Sequence, residues 1–144
     1  MTITEKLLHL RAINIAKLFD DILRENKEAI LDMNRSQMYD DGVMDVKNPA
    51  GKEHYAPSTI KAKKRAPFNK TEFITLKWQG TFHGELELII FRDKFIIDSK
   101  NKIWGSFLET QNRFKSALGL TEENKGELRD IVRDEMIRKI RNVA

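Results

Sequence analysis

Residues 82–99 read Phe82-His83-Gly84-Glu85-Leu86-Glu87-Leu88-Ile89-Ile90-Phe91-Arg92-Asp93-Lys94-Phe95-Ile96-Ile97-Asp98-Ser99. Phe82, Gly84, Leu86, Leu88 and Ile90 alternate with His83, Glu85 and Glu87. That is the two-residue period of a half-buried strand. Arg92-Asp93-Lys94 interrupts with three charges, and Phe95 to Ser99 resumes, so a hairpin is expected. Ile89 and Phe91 make the middle apolar on both faces, which suits a strand held between two layers. Upstream, Phe73/Ile74-Thr75-Leu76-Lys77-Trp78 also alternates, before Gln79-Gly80-Thr81 breaks the pattern. The region 73–99 therefore predicts a small antiparallel sheet of three to four strands.

Helical patterns flank it. Residues 1–35 predict one long N-terminal helix. Thr2 and Glu5 have capping-box spacing. Ile15, Leu18, Ile22, Ala29 and Met33 then recur at helical steps, with Leu8 and Phe19 widening the stripe. Such a rod would run about 50 Å. A domain of this size needs less, so either the rod breaks or part of its stripe lies on another surface. Residues 102–143 predict two helices. The first carries Ile103, Phe107, Phe114 and Leu118 on one side and ends at Gly119. Thr121 caps the second, whose stripe is Leu128, Ile131, Val132, Met136, Ile140 and Val143. The expected fold class is α+β: one domain over 1–144, a small sheet packed by long N-terminal and C-terminal helices. Its expected core is Leu8, Ile15, Ile22, Leu76, Trp78, Phe82, Leu86, Leu88, Ile90, Phe95, Ile97, Leu128, Val132 and Met136.

Residues 36–72 have a different character and predict a long, extended, projecting loop. Asp40-Asp41-Gly42 and Asn48-Pro49-Ala50-Gly51 are turn chemistry. Thr59 to Arg65 suits a short helical turn capped by Ser58. Lys61, Lys63, Lys64, Arg65 and Lys70 place five cations in ten residues with no acid among them. Tyr55 and Phe68 flank the cluster. A connection this long inside a small domain is usually functional or disordered.

Composition excludes several chemistries. The 144 residues contain no cysteine, which removes disulfides, thiolate metal sites and cysteine nucleophiles. No run of 18 apolar residues spans a bilayer, and the start lacks the apolar block of a secretory signal. Net charge is only +4, from 26 cations and 22 anions. There is no His-Glu-x-x-His, no Gly-x-Ser-x-Gly elbow, and Gly80-x-x-x-Gly84 lacks the Lys-Ser/Thr of a phosphate loop. His83, Glu85 and Glu87 fall on one face of the predicted strand and make a metal-dependent hydrolase conceivable. A solvated polar face has the same pattern. No metal, no cofactor and no catalysis are expected.

The order of segments carries more than any single residue. A long helix leads to a Gly51-centred loop with Pro57, Thr59, Lys61 and Lys63. Leu76, Gly80 and Phe82 then precede the hairpin, and Leu118-Gly119-Leu120-Thr121 opens the last helix. Trp78-Gln79 stands where the pattern usually has Thr or Ser before the glycine. This arrangement resembles the bacteriophage head–tail joining and tail-completion proteins, a family of virion morphogenesis and neck-ring components. The resemblance implies a structural protein that forms a homo-oligomeric ring, six or twelve copies, at the head–tail junction. It implies portal, adaptor or tail proteins as partners and no membrane. It also implies synthesis in the bacterial cytoplasm and a final place in the virion neck or tail. On that reading Tyr55, Pro57, Thr59, Lys61, Lys63, Lys64 and Arg65 are candidate assembly contacts. Lys61, Lys63, Lys64, Arg65 and Lys70 are candidates to face a DNA channel, making non-specific phosphate contacts. The alternative is a small basic nucleic-acid-binding protein using the same cations.

Overall fold

Two asparagines cut the expected N-terminal rod into three helices. The structure, a computed structural model, describes residues 2–12, 14–77, 80–92, 94–100 and 115–143. Helix α1 spans Ile3–Ala12, α2 spans Ile15–Glu25 and α3 spans Lys27–Tyr39. The Thr2–Glu5 capping box forms as expected: the Glu5 carboxylate accepts from the Thr2 amide and the Thr2 hydroxyl from the Glu5 amide. Asn14 is extended, with φ −85° and ψ 101°, and its side chain accepts from the Lys17 amide at 3.1 Å. It therefore starts a new helix instead of continuing the old one. At Asn26 the side-chain amide donates to the Ile22 carbonyl at 2.8 Å and reaches Glu135 at 3.3 Å. Back-bonding of this kind competes with the helical ladder. Here it ends α2 and ties the break to the C-terminal helix.

The predicted sheet is smaller than expected. Among the described residues it has two strands, β1 at Leu86–Ile90 and β2 at Phe95–Ser99. They pair antiparallel with Leu86 opposite Ser99, Leu88 opposite Ile97 and Ile90 opposite Phe95. The Phe91 amide donates to the Lys94 carbonyl at the turn, and the Lys100 amide donates to the Glu85 carbonyl at the open end. The strand expected over 73–78 is absent from its described part. The Thr75 hydroxyl accepts from the Lys77 amide at 3.2 Å, a local turn two residues long. Leu76 then takes φ +56°, a left-handed conformation that no strand accommodates. Residues 81–84 are also not extended. Gly80, at φ +90°, opens a single helical turn, α5 (Thr81–Gly84).

The expected loop 36–72 is likewise shorter and more packed than a projection. Helix α3 runs on to Tyr39, and a further helix, α4, spans Pro57–Lys63. Between them Val43 and Met44 are buried. Gly42, at φ +66°, lies under the Phe73 ring, and a Cβ there would come within 2.5 Å of it. Only glycine permits that close approach. Of the two expected C-terminal helices, residues 101–114 of the first lie outside the described residues. What is described of its end is a 3-10 turn, Lys115–Ala117. The last helix, α6, spans Glu122–Val143, with the Thr121 hydroxyl accepting from the Asn124 amide.

The core lies where α2, α3 and α6 meet the inner face of the hairpin. Ile22, Phe82, Leu86, Ile97, Leu128 and Val132 are buried as expected, and Leu76, Leu88, Ile90, Phe95 and Met136 pack against them half-buried. Leu8, on α1, and Ile15, the first residue of α2 after the break at Asn14, are instead exposed. Trp78 lies outside the described residues. Two buried amides on α3 hold the turn before α6. Asn34 donates to the Ala117 carbonyl at 2.8 Å and accepts from the Gly119 amide at 3.1 Å. Gln37 donates to the Gly119 carbonyl and accepts from the Thr121 amide and the Asn124 side chain. Gln37→Leu strands those backbone groups and is expected to cost about 2–3 kcal/mol. Urea unfolding checks this, as a lower midpoint at unchanged slope.

Candidate assembly surface and its buried supports

Helix α4 is short, and Pro57 at its first turn supplies the preset φ of a helix start. Ala56, not Ser58, is the residue before it, and no side chain caps it. The basic residues divide around this helix. Lys61, Lys64 and Arg65 are exposed. Lys63 points the other way and is fully buried. Its ammonium donates to the carbonyls of Phe68 and Lys77. Burial lowers its pKa below the ordinary 10.5. This corrects the expectation that Lys63 faces a channel or a neighbouring subunit.

Lys70 makes contacts within the chain as well. It is half-buried, and its ammonium donates to the Tyr39 carbonyl at 3.1 Å. It sits 4.6 Å from the centre of the Phe73 ring and 5.3 Å from that of Tyr39. Lys77 stands 4.2 Å from the Phe68 ring centre and 4.9 Å from Tyr39, and Lys52 covers Phe73 at 5.0 Å. Tyr39 and Phe68 meet edge to face. The result is a stack in which lysines of this chain occupy the faces of its own aromatic rings. Rings used this way are not free to stack on bases.

The remaining candidates are supports or simple surface. Tyr55 is half-buried, and its hydroxyl accepts from the Thr75 amide at 3.1 Å. Thr59 is half-buried and Pro57 is exposed. Sequence reading missed Thr75 and His83 as the centre of this layer. Thr75 is fully buried; its carbonyl accepts from the His83 Nε2 at 2.8 Å. A carbonyl only accepts, so Nε2 carries the proton and Nδ1 holds the lone pair. That Nδ1 is buried with no partner among the described residues. Arg35 donates to the His83 carbonyl at 2.7 Å while pairing with Asp32 and Glu28 on its own side of α3. Burial pushes the imidazole down to about 4. Its bond to Thr75 opposes that shift, and the charges of Lys77, Arg35 and Lys63 add to it.

His83, Glu85 and Glu87 do not share a strand face, because His83 lies in α5 and only Glu87 is in β1. Among the described residues no three His, Asp or Glu side chains come together as a ligand set. An apolar groove of about 760 Å³ runs between β2 and α6. Its described lining offers Lys94, Lys125, Arg129 and Arg133 but no carboxylate, imidazole or hydroxyl. It therefore holds no acid–base pair. No helix of the described residues is long and apolar enough to cross a membrane.

No family model, no curated protein and no solved structure matches the chain.

Two outcomes follow from the buried supports. Lys63→Ala leaves the Phe68 and Lys77 carbonyls without their donor and is expected to cost about 2–4 kcal/mol. Lys61→Ala, on the exposed side of the same helix, should stay within about 0.5 kcal/mol. Denaturant unfolding of both variants separates them. For His83 the folded pKa lies below the unfolded 6.5, so the unfolded chain binds the proton first. Its contribution is complete above pH 6.5, shrinks as pH falls towards 4, and levels off below. Between pH 7.5 and pH 4 the loss is about 3 kcal/mol. Comparing unfolding midpoints of the native chain and His83→Gln across that range isolates the effect, since the variant should lack it.

Proposed function

We propose that this chain is a non-enzymatic structural protein that assembles as a ring at the head–tail junction of a tailed bacteriophage. One observation supports the reading most directly: the fold leaves apolar side chains uncovered on two separate elements. Ile3, Leu7 and Leu8 on α1 are 79, 51 and 58% exposed. Phe91 and Ile96 on the hairpin are 44 and 43% exposed. Single exposed apolar residues are ordinary, but groups of them on distinct surfaces mark contact sites. A head-to-tail ring uses two different surfaces of each subunit. The segment order described above adds the family resemblance to this physical argument. Six or twelve copies, portal or tail neighbours, and an origin in the bacterial cytoplasm belong to the same proposal.

The nucleic-acid reading has less support. Of the five cations at 61–70, Lys63 and Lys70 are turned inward, and the nearby rings are covered by lysines. Three exposed cations remain.

Mass spectrometry of purified phage particles tests the proposal. The expected result is this chain at a fixed, low copy number, six or twelve, relative to the major capsid protein. Absence from the particle overturns it.

A further inference from the structure

The hairpin has an outer face that the core does not use. Leu86, Leu88, Ile90, Phe95 and Ile97 point inward, so the alternate residues point out. On that outer face Glu87 stands directly opposite Asp98, and Ile89 directly opposite Ile96. Facing carboxylates across a strand pair repel. Neither Glu87 nor Asp98 makes an ion pair with a described residue, although one Asp98 oxygen accepts from the Ser99 amide. The fold thus sets two acidic residues with Cβ atoms roughly 5 Å apart beside the half-buried Ile89 and the exposed Ile96.

The opposite charge is displayed elsewhere on the chain. Lys61 lies in the last turn of α4, Lys64 is its C-cap, and Arg65 follows in the turn beyond, its amide donating to the Ala62 carbonyl at 3.3 Å. All three are exposed, and none pairs with a described acid. The buried Lys63 holds its own side of the helix inward. The chain therefore carries a cationic surface at Lys61, Lys64 and Arg65 and an anionic one at Glu87 and Asp98, and these residues do not pair with one another.

We propose that the outer face of the β1–β2 hairpin receives the exposed Lys61, Lys64 and Arg65 at the C-terminal end of α4 from a second copy of this chain. Arginine's fork, or a lysine ammonium between the two carboxylates, relieves the Glu87–Asp98 repulsion. The alkyl stems of the lysines cover Ile89 and Ile96. The contact joins unlike surfaces, so it repeats from copy to copy and closes a ring when the rotation allows. The inference rests on the assembly reading and names its contact.

A charge exchange tests it. One variant is Glu87→Lys/Asp98→Lys; the other is Lys61→Glu/Lys64→Glu/Arg65→Glu. Lys61, Lys64, Arg65 and Asp98 are exposed and Glu87 is half-buried, and circular dichroism confirms that each variant folds. The native chain is expected to self-associate in sedimentation velocity, at least about tenfold more weakly in 500 mM than in 50 mM salt. Each variant alone should stay monomeric, because like now faces like. Mixed, they should associate again, since each supplies the surface the other needs. Association that survives either reversal overturns this contact while leaving the ring proposal to the particle measurement. A native chain that stays monomeric to millimolar concentration at low salt, or variants that fail to complement, also overturns it. Duplex DNA bound by the native chain and lost in the cation variant, without complementation, would assign Lys61, Lys64 and Arg65 to nucleic acid instead.

Discussion

A buried ammonium organises the middle of this chain. Lys63 sits at the end of α4 and donates to carbonyls at Phe68 and Lys77, so one side chain joins three stretches of backbone. A lysine is rarely taken wholly out of water, because its charge loses hydration that only good partners restore. Carbonyl oxygens of irregular backbone are such partners, and they need donors of their own. The two requirements meet here. Tyr55 over Thr75, His83 beneath it and the lysine–aromatic stack around Tyr39 all assemble on the frame that this contact sets.

That frame decides which charges face outward. With Lys63 inside, its neighbours at 61, 64 and 65 are exposed. Lys52, Lys70 and Lys77 are drawn down onto ring faces. The basic segment is thus a structural layer with a narrow cationic crest, and not a tether of free charges. The hairpin shows the converse, with its apolar side committed to the core and its acids left facing each other.

How much of this was legible follows from how local each cause is. The hairpin was legible because two-residue alternation, a charged turn and an apolar return leave one register that buries Leu86, Leu88 and Ile97. The Thr2–Glu5 box and the Thr121 cap were legible for the same reason: their partners lie three residues away. The break at Asn26 was not, because it is completed by Glu135, more than a hundred residues downstream. The false strand at 73–78 had the right alternation, and a single hydroxyl at Thr75 defeats it by bonding two residues ahead. Asn14 did carry a local signal, an N-cap residue inside an apparently continuous stripe. The exposed half of the candidate surface was readable from its charge run. The buried half was not, since nothing in Lys61-Ala62-Lys63-Lys64-Arg65 distinguishes the lysine that turns inward.

The burial of Lys63 also governs how the chain meets a protease. A run of lysines and arginine looks like the easiest place for trypsin to cut. Cleavage after Lys63 requires its ammonium to leave two carbonyls and enter the enzyme's pocket, which opens α4 and the backbone at Phe68 and Lys77 together. Scission at that bond therefore samples the opening of a whole cooperative layer. The neighbouring bonds after Lys61, Lys64 and Arg65 lie within two residues of Lys63, and a protease takes up an extended stretch on both sides of the bond it cuts, so they are guarded by the same contact. A limited digest therefore finds this basic run resistant as a unit, and its rate of cutting reads the strength of the interior beneath it.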